Sequence, residues 1–450
     1  MGSDEDTIVA LASAPGRAAV AIVRISGSSA SKVGAILGFE LPRPRLASVR
    51  KLRHAGTELD QALVLFFKGP GSYTGEDLVE LHIHGGKASY DSVLSVLLSV
   101  PHWRHAEPGE FSRRAVLNGR LDLTAAEAVN DLVNAETEAQ RELAMMQLGG
   151  SLRGVFEDWA EKLTGIRAHL EAYIDFPDEE IPSTVLDGLC SGLVELIDSM
   201  TAFMNDGRRG ERLREGLRIA VVGPPNAGKS SFVNWLAERD VAIVSEQAGT
   251  TRDVIEVHLD LEGYPVTVAD TAGLREEGGV VEIEGMRRAR QWADNADLRI
   301  LVVDVTDVET RDPTQYGLRE GDLVLFNKVD LSTAAGHKRR LKDPGRWDVE
   351  HVSVSTGEGL ADAMKVLSNT ARSRMDVAKQ PVISRSRHRA ALRECVVALE
   401  GARAGLSTDL DLEIVAEEMR RAADDLGRVT GRVDVEDLLD VVFRDFCIGK

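Results

Sequence analysis

The chain has 450 residues, 43% of them hydrophobic and 28% charged, with a net charge of −19; that length exceeds one core and predicts two to four domains, and the acidic balance argues against extensive phosphate-backbone binding by this chain. Its three cysteines, Cys190, Cys395 and Cys447, are too far apart in sequence for a disulfide framework or a metal cluster and suit a reducing cytosol. No apolar run is long enough to span a membrane, and Asp4, Glu5 and Asp6 occupy the place of a basic leader, so a cytoplasmic protein with no membrane span is expected.

Residues 1–118 alternate strand-like runs (18–25, 62–67, 78–83) with glycine turns and one helix-like stretch at 89–98, which predicts an α+β domain. His82 and His84 alternate on one strand face; with no third ligand in the pattern, packing or hydrogen bonding is expected there rather than a metal. From 119 to 213 the apolar period becomes helical, and Thr124-Ala-Ala-Glu127 reads as a capping box. Residues 216–372 alternate strands with helices as a doubly wound, mostly parallel sheet requires. Helical pattern returns over 376–450, at 390–401, 412–426 and 435–446, so the α/β module is inserted between two halves of one helical domain. The fold class is therefore multidomain, α/β plus α+β.

The most specific chemistry lies in the inserted module. An apolar run from Ile219 to Val222 leads into Gly223-Pro-Pro-Asn226-Ala227-Gly228-Lys229-Ser230-Ser231, a G-x-x-x-x-G-K-S phosphate loop before a helix. Backbone amides wrap the phosphates at the helix N-terminus, Lys229 neutralises the outer oxygens and the Ser230 hydroxyl is a Mg²⁺ ligand. Asn327-Lys328-Val329-Asp330 follows a second apolar run, Leu323 to Phe326. The Asp330 carboxylate can accept from both the ring N–H and the exocyclic amine of guanine, and adenine lacks that pair of donors. Ser353-Val354-Ser355 stands where a second base loop belongs, with Val where GTPases commonly carry Ala. The γ-phosphate sensors are Gly249-Thr250-Thr251, with Thr251 completing the Mg²⁺ shell, and Asp270-Thr271-Ala272-Gly273, with Asp270 on a metal water.

One position breaks the pattern. Where Ras-like enzymes place a glutamine that orients the attacking water, this chain has Leu274. Either hydrolysis is very slow or other groups serve the transition state. Asn226 could hold a monovalent cation together with carbonyls of the 245–250 loop, supplying charge as an arginine finger does. Glu282 could orient water, although spacing alone does not single it out from Glu276, Glu277 and Glu284.

The order of these motifs, together with Tyr73-Thr-Gly-Glu-Asp77, Pro108-Gly-Glu-Phe111, Asn118-Gly-Arg-Leu-Asp-Leu123, the stretch from Ile174 to Ile181 and the terminus Phe446-Cys-Ile-Gly-Lys450, resembles the MnmE (TrmE) family of tRNA-modification GTPases over essentially the whole chain. The resemblance implies a homodimer formed by a tetrahydrofolate-binding N-terminal domain, a split helical domain, and a G domain driven by potassium. It places Asn226, Ser245, Gln247 and Thr250 at the K⁺ site, Glu246, Ala248 and Gly249 in the same loop over GTP, and Glu282 on the catalytic glutamate. Ser245 and Gln247 depart from the family's commoner Thr and Ile. It maps the 5-formyl- or 5,10-methylene-tetrahydrofolate site onto Arg24, Glu80, Arg120 and Lys450, with Arg120 where lysine is frequent. Cys447 could be a nucleophile or a redox group, but a reactive thiol needs an activating environment and the terminal motif offers only a nearby Lys, so a structural or ligand-lining role is expected. The resemblance also implies a flavin-dependent partner of the MnmG (GidA) type that forms a hetero-oligomer and carries most of the tRNA surface, the pair placing an aminomethyl or carboxymethylaminomethyl group on C5 of the wobble uridine.

Two other readings compete. A ribosome-assembly GTPase switch also tolerates an apolar residue after D-x-x-G, but such proteins append a basic RNA module, and here the C-terminal helices are acidic, with no KH-type loop. A metabolic P-loop kinase is disfavoured by Asp330.

Overall fold

The computed structural model describes residues 6–175, 183–239, 241–243, 256–270, 292–306, 313–331, 346–408, 411–433, 439–440, 442–444 and 446–449, with side chains from 187 onward in the helix that begins at 183. They fall into two compact units, one of residues 1–130, 147–196 and 391–450, the other of 131–146 and 197–390.

The first unit contains a six-stranded sheet in the order β3-β4-β5-β2-β1-β6. Its strands are β1 (Thr7–Leu11), β2 (Val20–Ser26), β3 (Ser48–His54), β4 (Thr57–Phe67), β5 (Leu78–His84) and β6 (Trp103–His105). Helix α1 (Lys87–Leu98) covers one face and contributes Val93 and Leu97 to a core with Val23, Ile25, Leu81 and Ile83. Because side chains alternate along a strand, Arg24, Glu80 and His82 fall on the opposite face. The edge strand β3, with the sequence SVRKLRH, buries only Leu52 fully. Its apolar signal is correspondingly faint in the sequence, and its Lys and Arg protect an open edge.

Around this sheet lie α2 (Glu110–Leu117) and α3 (Leu123–Val133). The cap of α3 is not the box expected from Thr124 and Glu127. Asp122 Oδ1 accepts from Thr124 N at 3.0 Å and Ala125 N at 3.1 Å, while Thr124 and Glu127 are themselves buried. A carboxylate two residues earlier makes charge-assisted bonds and complements the helix dipole, so it takes the capping position.

Further along are α4 (Glu138–Leu148), α5 (Ser151–Asp175), α6 (Ser183–Met204) and α7 (Arg209–Glu215). In the first unit α5 packs against α11 (Leu412–Thr430). Val415, Met419, Ala422, Leu426 and Val429 of α11 meet a stripe containing Leu152, Phe156, Trp159 and Leu163, all buried at three- and four-residue spacing. Asp411 caps α11 by accepting from Glu413 N at 3.1 Å, and Gly431 ends it in the left-handed conformation at φ 80°. The expected helical stretch at 435–446 lies partly outside the described residues; Leu439, Phe443 and Phe446 pack with Leu123 and Ala126.

The second unit carries β7 (Leu217–Val222), α8 (Lys229–Ala237), β8 (Glu256–Leu261), β9 (Tyr264–Asp270), β10 (Leu298–Asp304), β11 (Leu323–Asn327), β12 (Asp348–His351) and α9 (Leu360–Met375). Helix α10 (Ser386–Ser407) begins at its C-terminal limit. The sheet order is β12-β11-β10-β7-β9-β8; every pairing is parallel except that of edge strand β8 with β9. The chain turns from one side of β7 to the other, so the crevice at the C-terminal end of β7 is where a ligand is expected.

Candidate functional site

The phosphate loop leaves that end of β7. Gly223 has φ 140°, and a Cβ there would lie 2.3 Å from Val302 O on β10, so only glycine lets the loop start this close to the neighbouring strand. Asn226 is exposed at the crest in a left-handed conformation, φ 61°. Gly228 sits so near the guanine motif that a Cβ would stand 2.1 Å from Asn327 Nδ2. Lys229 opens α8, is buried, and donates to Pro224 O at 2.7 Å. Burial pulls its ammonium pKa below the ordinary lysine value, and the charge of Asp270 opposes that shift. A phosphate oxygen arriving there replaces a neutral carbonyl with an anion.

Ser230 Oγ donates to Asp270 Oδ2 at 2.5 Å, so a hydroxyl from α8 and a carboxylate from the end of β9 meet on one spot. Two hard oxygens of this kind fit Mg²⁺ as ligand and holder of a metal water.

Asn327 joins the loops. Its Nδ2 donates to Ala227 O at 2.8 Å and its Oδ1 accepts from Val354 N at 3.1 Å. The Val354 amide, expected at the base, is thus bonded to Asn327 here. Ser353 Oγ donates to Asp330 Oδ1 at 2.6 Å, orienting the carboxylate expected to accept from guanine, and lies 3.0 Å from Ser355 Oγ. Lys328, at φ 66°, donates to Asp304 Oδ2 at 2.6 Å. Asp304 was not singled out from the sequence; its signal is its position at the end of an apolar strand beside the base motif. Ser245, Glu246, Gln247, Ala248, Gly249, Thr250, Thr251, Thr271, Ala272, Gly273, Leu274 and Glu282 lie outside the described residues.

A second constellation forms on the open face of the first sheet. Arg24 and Glu80 are register partners on β2 and β5. Arg24 Nε and Nη2 donate to Glu80 Oε1 at 3.1 and 2.9 Å, and Nη1 donates to Gly449 O at 3.2 Å. The guanidinium carbon lies 5.7 and 5.6 Å from the ring centres of Tyr73 and Phe111. Arg24 therefore ties the C-terminal strap and the carboxylate together, and in this arrangement it is not an idle cation awaiting a ligand's tail.

The motifs that carried the family resemblance build this site's walls. Gly109 takes φ 66°, and a Cβ there would lie 2.8 Å from both Phe443 and Phe446; its amide donates to Cys447 O at 3.2 Å. Tyr73 Oη is 2.8 Å from Ser112 Oγ; burial raises its phenol pKa, opposed by that hydrogen bond and by the charge of Arg24. Arg114 bridges Glu76 and Glu110, with Arg104 on the far side of Glu110. Asn118 Nδ2 donates to Thr74 O at 2.7 Å, bringing the exposed Arg120 beside Gly75. Cys447 is exposed, and Lys450 lies outside the described residues. His82 and His84 make hydrogen bonds, to Glu80 and Asp60 respectively, and among the described residues no group of three His, Cys, Asp or Glu side chains converges on a metal position.

A phosphate loop at the switch point of a mostly parallel sheet, locked by one asparagine to the loop at Val354 whose Ser353 orients Asp330, defines a P-loop GTPase, and hydrolysis of GTP is its reaction. The model of the MnmE helical domain matches residues 123–447 and that of the GTP-binding protein TrmE N-terminus matches 7–120. Proteins described as tRNA modification GTPase MnmE are 50% identical in Paramagnetospirillum magneticum, 48% in Caulobacter vibrioides and 47% in Parvibaculum lavamentivorans, each match covering 99% of this chain and all of the relative. The chain belongs to the MnmE family of tRNA-modification GTPases. That membership displaces the ribosome-assembly reading of Leu274. No described helix is long and apolar enough to cross a membrane.

Proposed function

We propose that this chain is a potassium-dependent GTP hydrolase which, with a flavin-dependent partner, modifies C5 of the wobble uridine of certain tRNAs, drawing the carbon from a tetrahydrofolate. The observation that carries the hydrolase chemistry is the Ser230–Asp270 bond at 2.5 Å beside the buried Lys229, a preformed place for a metal on phosphate. Lys229 exchanges Pro224 O for the outer phosphates, Asp330 accepts from guanine, and Asn327 holds the two loops at fixed separation. With Leu274 unable to bond water, the transition-state charge falls to a cation at Asn226, whose exposed, left-handed placement at the loop crest leaves its side-chain oxygen available. Ser245, Gln247 and Thr250 would complete that site, Thr251 the magnesium shell, and Glu282 would orient water.

The folate half rests on the Arg24–Glu80 pair beneath the C-terminal strap, where a carboxylate suits the donor edge of a pterin and Arg120 and Lys450 suit the glutamate tail. Homodimerisation follows from the family membership, and delegation of most tRNA contact to the partner fits the net charge of −19. The test is GTP turnover in KCl against NaCl for wild type, Asn226→Ala and Glu282→Gln. Wild type is expected to run at least about tenfold faster in potassium, since an arginine finger placing positive charge at the same point is worth about 10³–10⁵ in kcat and a weakly held monovalent cation can supply part of that. Asn226→Ala is expected to lose that preference and Glu282→Gln to be slow in both salts. Equal wild-type rates in the two salts would remove the cation mechanism.

A further inference from the structure

The carboxylate of Glu80 is nearly saturated before any ligand arrives. An ionised carboxylate offers about four acceptor positions. Arg24 fills two of them at Oε1, and His82 Nε2 stands 3.2 Å from Oε2. Among the described residues that leaves one position, on Oε2, whereas the donor edge of a pterin presents two adjacent N–H groups. Arg24 is the harder partner to dislodge, because it is also bonded to Gly449 O and stands over two aromatic rings. The single His82 contact is the one that can yield.

We propose that His82 is the positioning residue of the pterin end of this pocket. With a proton on Nε2 it holds Glu80 in place; as a neutral imidazole it can shift that proton to Nδ1 without moving the ring, which frees Oε2 and turns Nε2 into a second acceptor beside it. An imidazolium carries a proton on both nitrogens and cannot do this, so it competes with the ligand for the carboxylate. This rests on the folate reading above and adds to it a proton-controlled vacancy.

The groups around His82 are few. Its register partners are Ile22 on β2 and Leu63 on β4, both apolar. Among the described residues the charged neighbours on the face are Glu80, Arg24 and the His84–Asp60 pair, in which Asp60 Oδ1 is 2.6 Å from His84 Nδ1. His84 is the other imidazole on this face, two residues along the same strand, and is therefore the necessary control.

The experiment is calorimetric titration of the full-length protein with 5-formyl-tetrahydrofolate from pH 8 to pH 5.5, a ligand whose formylated N5 is an amide and does not take up a proton in that interval. Wild-type affinity is expected to fall on the acid side, approaching about tenfold per pH unit below the midpoint, as the competent fraction shrinks. His82→Gln keeps a donor but does not titrate, and its affinity is expected to stay level. His82→Leu suits the apolar neighbours, and is expected to bind independently of pH and more tightly than wild type at pH 5.5. His84→Gln is expected to retain the wild-type profile. Circular dichroism melting reports whether each variant folds. A level wild-type profile, or an acid fall that survives in His82→Gln or His82→Leu, overturns the role of His82 while the folate reading stands. A wild type that binds no folate at any pH overturns both.

Discussion

Removing the asparagine that joins the two loops of the nucleotide site gives a quantitative test of the site's construction. In Asn327→Ala, the Ala227 carbonyl and the Val354 amide both lose a partner that lies 2.8 and 3.1 Å away. Asn327 is 3% exposed, so water reaches these groups only if the loops part. A buried partner left unsatisfied costs about 1–3 kcal/mol, and because the loops can part and let water in, both groups fall at the low end, about 2–3 kcal/mol for the two. In the unliganded protein that cost appears as parting of the phosphate loop from 353–355, and a nucleotide must then reassemble them. At about 1.4 kcal/mol per factor of ten, the affinity for GDP is expected to fall by between thirtyfold and somewhat over a hundredfold. Fluorescence titration with a labelled GDP reads this directly, and amide hydrogen exchange at 226–229 and 353–356 reports the loop parting without nucleotide. An affinity within threefold of wild type together with unchanged exchange would refute the view that Asn327 clamps the two loops.

Two stability predictions follow from the first unit. Burial alone would raise the Glu110 carboxyl, but hydrogen bonds from Arg104 and the Glu107 amide and the charges of both Arg114 and Arg104 outweigh it and hold it below the ordinary value of 4.5. A depressed folded-state pKa gives stability that is fully present above the unfolded value and is lost as pH falls through the folded one. Glu110→Gln is therefore expected to cost about 2 kcal/mol at pH 7, with the gap to wild type closing as urea denaturation is repeated at successively lower pH below about 4.5; a gap independent of pH would count against this ion network. Met419 is fully buried between α11 and α5, and Met419→Ala is expected to cost about 2–5 kcal/mol by urea denaturation, through lost transfer energy and the cavity left behind.

Much of the nucleotide module was legible in the linear sequence because its chemistry is local. A phosphate loop needs its glycines and Lys229 within eight consecutive residues, and a parallel strand buried on both faces reads as an unbroken apolar run such as Leu323 to Phe326. The helical stripe of α11 was legible for the same reason: the period that buries Val415, Met419, Ala422 and Leu426 is written into their spacing. The edge strand β3 was hidden because one buried leucine sets no period, and the cap of α3 was misplaced by two residues because serine, threonine and aspartate compete for that role with similar energies.

What the sequence alone determined is the set of reacting groups and the order of the elements that carry them. What only the tertiary structure decided is how distant polar groups are shared out. Asp304 beneath Lys328, Asn327 between two loops, and Arg24 on the carboxylate that His82 also meets are pairings between separate strands and loops. Hydrogen-bonding capacity is finite, so each pairing removes a donor or acceptor from every other use, and no pattern along the chain reveals which partner takes it. The same holds for Gly449, a carbonyl at the end of the chain that meets Arg24 on β2 only because the phenylalanines at 443 and 446 fold over a glycine that has no side chain to keep them away.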